Sequence, residues 1–199
     1  MPLGNSITES AAGRASYRYW LWKDLEEAGI PVDFVGSMHG VHGGEPRFRD
    51  FDADHEGHWG WTSAQMLERI DDWAARNPPD LVLLHLGSND VGLAGVGQTM
   101  ANLTAIAESL RRHNPQVTLL VAQLIPVYRF EAYIQRINDA IPELVARLDS
   151  PQSRVFLVDQ WSGFDALGDT WDGIHPNEAG ERKMARRWLE VILELRAAQ

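Results

Sequence analysis

The chain has 199 residues, of which 44 % are hydrophobic and 23 % charged, the balance of a folded globular protein and not of a disordered one. Acidic residues outnumber basic ones by 28 to 18, which argues against nucleic acid or an anionic membrane surface as the partner. The sequence has no cysteine, so disulfides, thiolate metal sites and a cysteine nucleophile are excluded.

The length and the lack of any linker predict a single domain over residues 1–199. No apolar run reaches the ~18 residues that a membrane span needs. The first residues do not show the basic and apolar stretches of a signal peptide. The sequence leaves the compartment and the oligomeric state open.

Short apolar runs predict buried β-strands, because each is too short for a helix and is rich in leucine or β-branched residues. The first run contains only one large branched residue, Leu3, ahead of a turn at Gly4, so this strand should be short. The predicted strands cover residues 1–4, 32–35, 81–86, 117–122 and 155–158.

Amphipathic segments with capping signals separate these runs. Ser16 precedes the first, and Thr62 with Gln65 forms a capping-box pattern ahead of the second. Pro142 should kink a later segment or start a new turn there, and Asn177 is the expected cap of the last. The predicted helices cover residues 17–28, 63–75, 99–112, 130–148 and 178–195. This alternation predicts a five-stranded parallel sheet with helices on both faces.

Polar residues suited to acyl transfer lie between and after the predicted strands. In a doubly wound sheet, ligands bind outside the carboxyl ends of the strands. Ser6 follows the first strand, Asn89 the third and His175 the fifth, while Gly60 lies between the second and third. A serine can attack an ester, a histidine can take its proton, and glycine and asparagine N–H groups can stabilise an oxyanion. Asp172 can bond the other imidazole nitrogen of His175 and fix its tautomer.

The blocks around these residues resemble those of SGNH (GDSL-type) hydrolases. They read LGNSIT at 3–8, glycine at 60, GSND at 87–90 and DGIHP at 172–176, in the family's order and across nearly the whole chain. The stretch HEGHWGWT at 55–62, with Pro2 before the first block, is similar to the acetylxylan esterases of carbohydrate-esterase family three. Asn5 departs from the family pattern, which has aspartate there; asparagine keeps an acceptor oxygen but lacks the charge.

The resemblance implies a flavodoxin-like, three-layer α/β/α fold with Ser6 as nucleophile, His175 as base and Asp172 as its orienting partner. It also implies an oxyanion hole made of the backbone N–H groups of Ser6 and Gly60 and the side-chain amide of Asn89. It implies no cofactor for catalysis. A secreted origin is suggested by the resemblance alone.

Four of the eight tryptophans lie close to these blocks in the sequence. They either bind substrate, because aromatic faces suit the apolar faces of sugar rings, or they are ordinary packing residues. These candidate substrate-binding residues are Trp59, Trp61, Trp161 and Trp171.

The segment 39–58 concentrates histidine and acidic residues, including two His-x-x-His pairs. The spacing is not that of a zinc finger. An EF-hand beginning at Asp50 would need glycine where His55 stands and glutamate where Trp61 stands. We therefore expect a solvated loop without a metal, the alternative being a calcium ion bound as a structural brace.

Together these features predict a serine esterase that hydrolyses short acyl esters through an acyl-enzyme. The expected substrate is an O-acetyl group on a carbohydrate such as xylan. Two βα units fill the chain between Asn89 and His175, which leaves no large lid to cover a long acyl chain. The alternatives are an arylesterase, thioesterase or lysophospholipase of the same superfamily, and a catalytically weak carbohydrate-binding protein.

Overall fold

A computed structural model describes residues 1–197 of the chain. Its strands are β1 (Pro2–Gly4), β2 (Met38–His39), β3 (Asp54–Gly57), β4 (Leu81–His85), β5 (Thr118–Ala122) and β6 (Val155–Val158). Its helices are α1 (Ser6–Glu9), α2 (Ser16–Glu27), α3 (Ser63–Arg76), α4 (Val96–His113), α5 (Glu131–Leu148) and α6 (Glu178–Ala197), and a 3₁₀ turn covers Ser88–Asp90.

Within residues 1–197 these strands form one sheet in the order β2-β3-β1-β4-β5-β6. All neighbouring pairs are parallel except β2 and β3 at the edge. In the middle of the sheet Leu3 of β1 lies between Glu56 of β3 and Leu84 of β4. The short first strand is thus central. The residues that follow it lie at the carboxyl ends of the strands, where parallel sheets bind ligands.

Helices cover both faces of the sheet, so the predicted α/β fold with three layers is confirmed. Successive residues of a strand point to opposite faces. Leu84 and Val121 pack with α3, α4 and α5, whereas Leu83 and Leu120 pack with α2 and α6. All four side chains are buried, so each face of the sheet has its own apolar core.

The predicted strand at 32–35 is wrong. The five parallel strands of the sheet are β1, β3, β4, β5 and β6, and β2 is a sixth, antiparallel strand at its margin that the sequence did not predict. Residues 32–35 are irregular, although Phe34 is buried against α2 and α6. The strand beside β1 is β3, which reads Asp-His-Glu-Gly and has no apolar side chain. Its buried carboxylate is paired instead: Glu56 accepts from the Ser37 amide and hydroxyl, each at 2.7 Å. Apolar patterning cannot detect a strand of this kind.

The predicted helices are all present, with boundaries that differ by one to three residues. Thr62 caps α3 through the predicted capping box with Gln65. Pro142 lies inside α5, which continues through it to Leu148. Asn177 accepts the Gly180 N–H at 3.2 Å ahead of α6. None of the helices in the described part of the chain is both long and apolar enough to cross a bilayer.

Candidate active site

Ser6 begins α1 and is separated from β1 by a single residue. Asn5 caps this helix, because its Oδ1 accepts the Ile7 N–H at 3.1 Å. A Cβ on Gly4 would overlap Thr8 Oγ1 and the His85 carbonyl oxygen, so only glycine allows this close approach. The tight strand-to-helix turn holds Ser6 at the carboxyl end of β1, where its side chain is nearly buried.

A chain of hydrogen bonds joins Ser6 to a histidine and an aspartate far along the sequence. His175 Nε2 lies 2.9 Å from Ser6 Oγ. His175 Nδ1 lies 2.7 Å from Asp172 Oδ2. The structure thus brings together the three residues predicted as nucleophile, base and orienting carboxylate. The imidazole lies between the hydroxyl and the carboxylate, as acyl transfer requires.

Asp172 is held in its charged form. Burial alone would raise its pKa, but the His175 amide, the His175 imidazole and the Ile174 amide all bond to this carboxylate and together keep the pKa of Asp172 below its ordinary value. The two amides donate to Oδ1 at 2.8 and 2.9 Å, which leaves Oδ2 for the imidazole. The carboxylate therefore fixes the ring orientation of His175.

The loop that carries His175 is fixed on both sides. The Trp171 N–H donates to the His175 carbonyl oxygen at 3.0 Å, and the Tyr128 N–H donates to the Gly173 carbonyl oxygen at 2.8 Å. Gly173 has a φ of +87°, and a Cβ there would lie 2.9 Å from that of Tyr128. A larger residue at 173 would displace Asp172 and His175 from Ser6.

The segment that carries Gly60 is tied to the carboxyl end of β1. The His58 N–H donates to the Gly4 carbonyl oxygen at 3.1 Å, and the Trp61 N–H closes a turn onto the His58 carbonyl at 3.2 Å. Gly60 occupies the turn with a φ of +78°. Asn89 Nδ2 donates one proton to the Trp61 carbonyl oxygen at 2.9 Å, which leaves its second N–H.

Amide donors remain free near the nucleophile. Among residues 1–197 the backbone N–H groups of Ser6 and Gly60 have no protein acceptor. Asp90 braces the third block, because its carboxylate accepts the Ser63 N–H at 2.8 Å and the Thr99 hydroxyl at 2.8 Å. Ser6, Gly60 and Asn89 thus offer N–H groups that can stabilise an oxyanion.

The four tryptophans near the motifs have different surroundings. Trp59 and Trp171 both stack on the ring of His175, at centroid distances of 4.6 and 5.2 Å. Trp61 stacks on His58 at 4.5 Å. Trp161 packs at the margin of the apolar core and lines an open cleft. That they bind substrate stays a prediction.

Two buried charged residues next to the nucleophile were not singled out from the sequence. Glu9 lies one turn after Ser6, and its Oε2 accepts the Trp59 N–H at 2.5 Å. Arg18 donates to the carbonyl oxygens of Thr8 and Glu9, which closes the end of α1. Burial lowers the pKa of Arg18 to about 10, so it stays charged at neutral pH. The one available signal was the position of Glu9 directly after the Ser-Ile-Thr block.

Two histidines of the histidine-rich and acidic segment pair with carboxylates of the same segment. His39 Nδ1 lies 2.6 Å from Asp54, and His58 Nε2 lies 2.6 Å from Glu56. No group of three or more potential metal ligands is found in the part of the chain that the structure describes. Whether calcium braces this segment stays open to experiment.

Comparison with known proteins identifies the family. The model of the GDSL-like Lipase/Acylhydrolase family matches residues 3–183. A multidomain esterase of Ruminococcus flavefaciens is 29 % identical over 217 residues, covering 96 % of this chain and 28 % of that protein. Esterase TesA of Pseudomonas aeruginosa is 33 % identical over 129 residues, covering 63 % of this chain and 61 % of that protein. The chain thus spans only part of the length of these curated relatives.

Solved structures are similar over the whole chain. A carbohydrate esterase family 3 protein from Talaromyces cellulolyticus has a TM-score of 0.89 and 33 % identity, covering 98 % of this chain and 96 % of that one. The family 3 carbohydrate esterase of Clostridium thermocellum has a TM-score of 0.83 and 34 % identity, covering 100 % and 96 %. The chain belongs to the GDSL-like lipase/acylhydrolase family and is an SGNH-type carboxylic ester hydrolase.

Proposed function

We propose that this esterase removes O-acetyl groups from a carbohydrate through an acetyl-enzyme formed on Ser6, and that residues 1–199 act as one catalytic domain. The observation that supports this most directly is the chain of hydrogen bonds from Ser6 through His175 to Asp172. The N–H groups of Ser6, Gly60 and Asn89 that are unpaired within residues 1–197 can supply the oxyanion donors that acyl transfer also needs.

In the proposed first step, Ser6 Oγ attacks the ester carbonyl carbon while His175 Nε2 takes the hydroxyl proton. Asp172 stabilises the imidazolium that forms. The carbonyl oxygen becomes an oxyanion that accepts hydrogen bonds from the N–H groups of Ser6, Gly60 and Asn89. The C–O bond to the sugar then breaks, and the departing sugar oxygen takes the proton from His175.

In the second step, water attacks the acetyl-enzyme and gives its proton to His175. The tetrahedral intermediate collapses, the proton returns from His175 to Ser6 Oγ, and acetic acid leaves, losing its remaining proton to water to become acetate. Since these residues supply the nucleophile, the base and the oxyanion donors, the proposed reaction requires no cofactor.

The surroundings of the site favour a short acyl group on a carbohydrate. An open cleft of about 410 Å³ lies beside the Asp172 loop and is lined by Tyr128, Trp161, Phe164 and Glu131 among others. Aromatic faces and a carboxylate suit the C–H faces and hydroxyls of a sugar. The carbohydrate esterase family 3 structures, with TM-scores of 0.83 and 0.89, support the same substrate class.

The test measures acetate release from acetylated xylan and acetylated xylo-oligosaccharides, alongside p-nitrophenyl esters from acetate to octanoate. We expect acetate release by the wild type, none by Ser6→Ala, and kcat/KM that falls with acyl length. Activity should also survive EDTA, whereas a loss reversed by calcium would support a calcium brace.

Rising kcat/KM up to octanoate, without acetate release from any acetylated glycan, would instead indicate a thioesterase or lysophospholipase. Binding of xylan without hydrolysis of any ester would indicate a carbohydrate-binding protein.

A further inference from the structure

Glu9 is a buried carboxylate that the mechanism above does not use. It lies on α1 one turn after the nucleophile, and its side chain is 6 % exposed. Burying a carboxylate costs free energy unless hydrogen bonds and opposite charges compensate. Its compensating partners are the Trp59 N–H at 2.5 Å and His42 Nδ1 at 3.4 Å, with the charged Arg18 bound to its backbone carbonyl.

Trp59 links Glu9 to both halves of the catalytic machinery. Its N–H is held by Glu9, and the next peptide N–H in the chain is that of Gly60. Its indole stacks on His175 at 4.6 Å with an interplanar angle of 18°. His42, whose ring lies beside the Glu9 carboxylate, also stacks on this indole, with a centroid distance of 4.7 Å and an interplanar angle of 21°. One carboxylate therefore fixes the backbone and, through His42, the ring of Trp59.

From this arrangement we propose that Glu9 is a positioning residue that sets the Gly60 N–H and the His175 imidazole relative to Ser6. The inference rests on the proposed roles of those three residues. Because Ser6 and Glu9 belong to the same helical turn, the nucleophile and the oxyanion donor are held in register by a single side chain. Glu9 itself touches neither substrate nor the reacting atoms.

This role makes a specific kinetic prediction. A donor that shifts by a fraction of its hydrogen-bond length still lets substrate bind but stabilises the transition state less. Glu9→Ala should lower kcat by about 10- to 100-fold with little change in KM. Glu9→Gln keeps an oxygen acceptor for the Trp59 N–H, so it should retain kcat within about threefold of the wild type.

Glu181 offers a matched control. It is also a buried carboxylate, and burial raises its pKa. Like Glu9, it accepts one backbone N–H, that of Ser16 at 3.0 Å, and it also accepts the indole N–H of Trp20. It lies on α6, and none of its hydrogen bonds reaches the segment that carries Gly60. Glu181→Ala should therefore lower Tm while leaving kcat near the wild-type value.

The experiment compares kcat, KM and Tm of the wild type, Glu9→Ala, Glu9→Gln and Glu181→Ala with p-nitrophenyl acetate below every Tm. Inhibition by phenylboronic acid, which adds to a serine as a tetrahedral anion, reports the oxyanion donors directly. Its Ki should rise in Glu9→Ala by roughly the factor by which kcat falls, and stay unchanged in Glu181→Ala. If Glu9→Ala does not fold, Glu9→Met fills the same space without an acceptor and replaces it.

Three outcomes would overturn the proposal: an unchanged kcat in Glu9→Ala or Glu9→Met, an effect confined to KM, or an unchanged Ki for the boronate. Failure of Glu9→Gln to restore kcat would also overturn it, because the acceptor would then not be what matters. These four outcomes concern Glu9 alone and leave the proposed function standing. The proposed function itself would be overturned if the wild type hydrolysed no ester.

Discussion

Asn5 connects two of the sequence blocks that form the site, because its Nδ2 donates to Ser88 Oγ at 2.7 Å across 83 positions of sequence. Asn5 is fully buried and caps α1 with its other side-chain atom, Oδ1. The residue that departs from the family pattern is thus also the residue that fastens the nucleophile turn to the Asn89 turn.

Asn5→Asp should fold and remain an active esterase. An aspartate keeps the oxygen that accepts the Ile7 N–H, and the Ser88 hydroxyl can rotate to donate where it now accepts. Asn5→Ala, in contrast, removes the cap and should lower stability by about 1 kcal/mol or more. Circular dichroism, Tm and kcat of both variants check this; an unfolded Asn5→Asp protein would show that Ser88 must accept.

Asp172→Ala should slow the esterase less than His175→Ala. Asp172 orients the imidazole and stabilises its charged form but takes no proton, whereas removing the base or the nucleophile should cost about 10³-fold or more in kcat. Steady-state kinetics with p-nitrophenyl acetate measure both. Full activity in Asp172→Ala would mean that another acceptor holds His175.

Asn89→Ala tests the oxyanion hole. Losing one such donor should lower kcat by ~10²–10³, or about 3–4 kcal/mol, with little change in KM. The same side chain also holds the Trp61 carbonyl, so Tm should be measured alongside. An effect mainly on KM would demote Asn89 to binding substrate or bracing the turn.

His85 should make stability depend on pH. Burial in the centre of the sheet lowers its pKa to about 4, while the unfolded chain binds the proton near pH 6.5. The unfolded state therefore holds more protons as the pH falls through this window, and stability is lost by ~2 kcal/mol between about pH 6.5 and 5 from this group alone.

His85→Gln keeps an acceptor for the Ile125 N–H, which His85 Nε2 accepts at 3.3 Å, but cannot titrate. Its free energy of unfolding, measured in urea at about pH 7 and 5, should fall less than that of the wild type. Equal losses in both proteins would contradict the assignment.

The convergence of the proposed catalytic residues was predictable, because parallel strands align their carboxyl ends and bring the polar residues that follow separate strands together. Ser6, Asn89 and His175 could be grouped on that rule alone. The strand β3 could not be found, since its buried side chains are polar, and the partner of the Glu56 carboxylate, Ser37, lies outside the strand. The ring neighbours of the tryptophans likewise depend on tertiary contacts that no local pattern encodes.

The same contacts divide the tryptophans into two groups. The Trp59 ring stacks on those of His42 and His175, and the Trp171 ring stacks on His175, with the Arg14 guanidinium 4.8 Å from its centroid. Both rings therefore pack on His175, although Trp171 remains 42 % exposed. Trp161 instead lines the open cleft beside the Asp172 loop.

Trp161→Ala and Trp59→Ala should therefore fail in different ways. Trp161→Ala should raise KM for an acetylated xylo-oligosaccharide several-fold but leave p-nitrophenyl acetate nearly unaffected, because only the oligosaccharide extends into the cleft. Trp59→Ala should lower kcat for both esters by a similar factor, because it loosens His175 whatever the substrate. Trp22→Ala, whose ring packs on Phe34 away from the site, is the control for losing a large side chain. Equal effects of Trp161→Ala on the two esters would mean that the cleft does not bind the substrate. A selective effect of Trp59→Ala on the sugar ester would mean that the Trp59 ring contacts the carbohydrate.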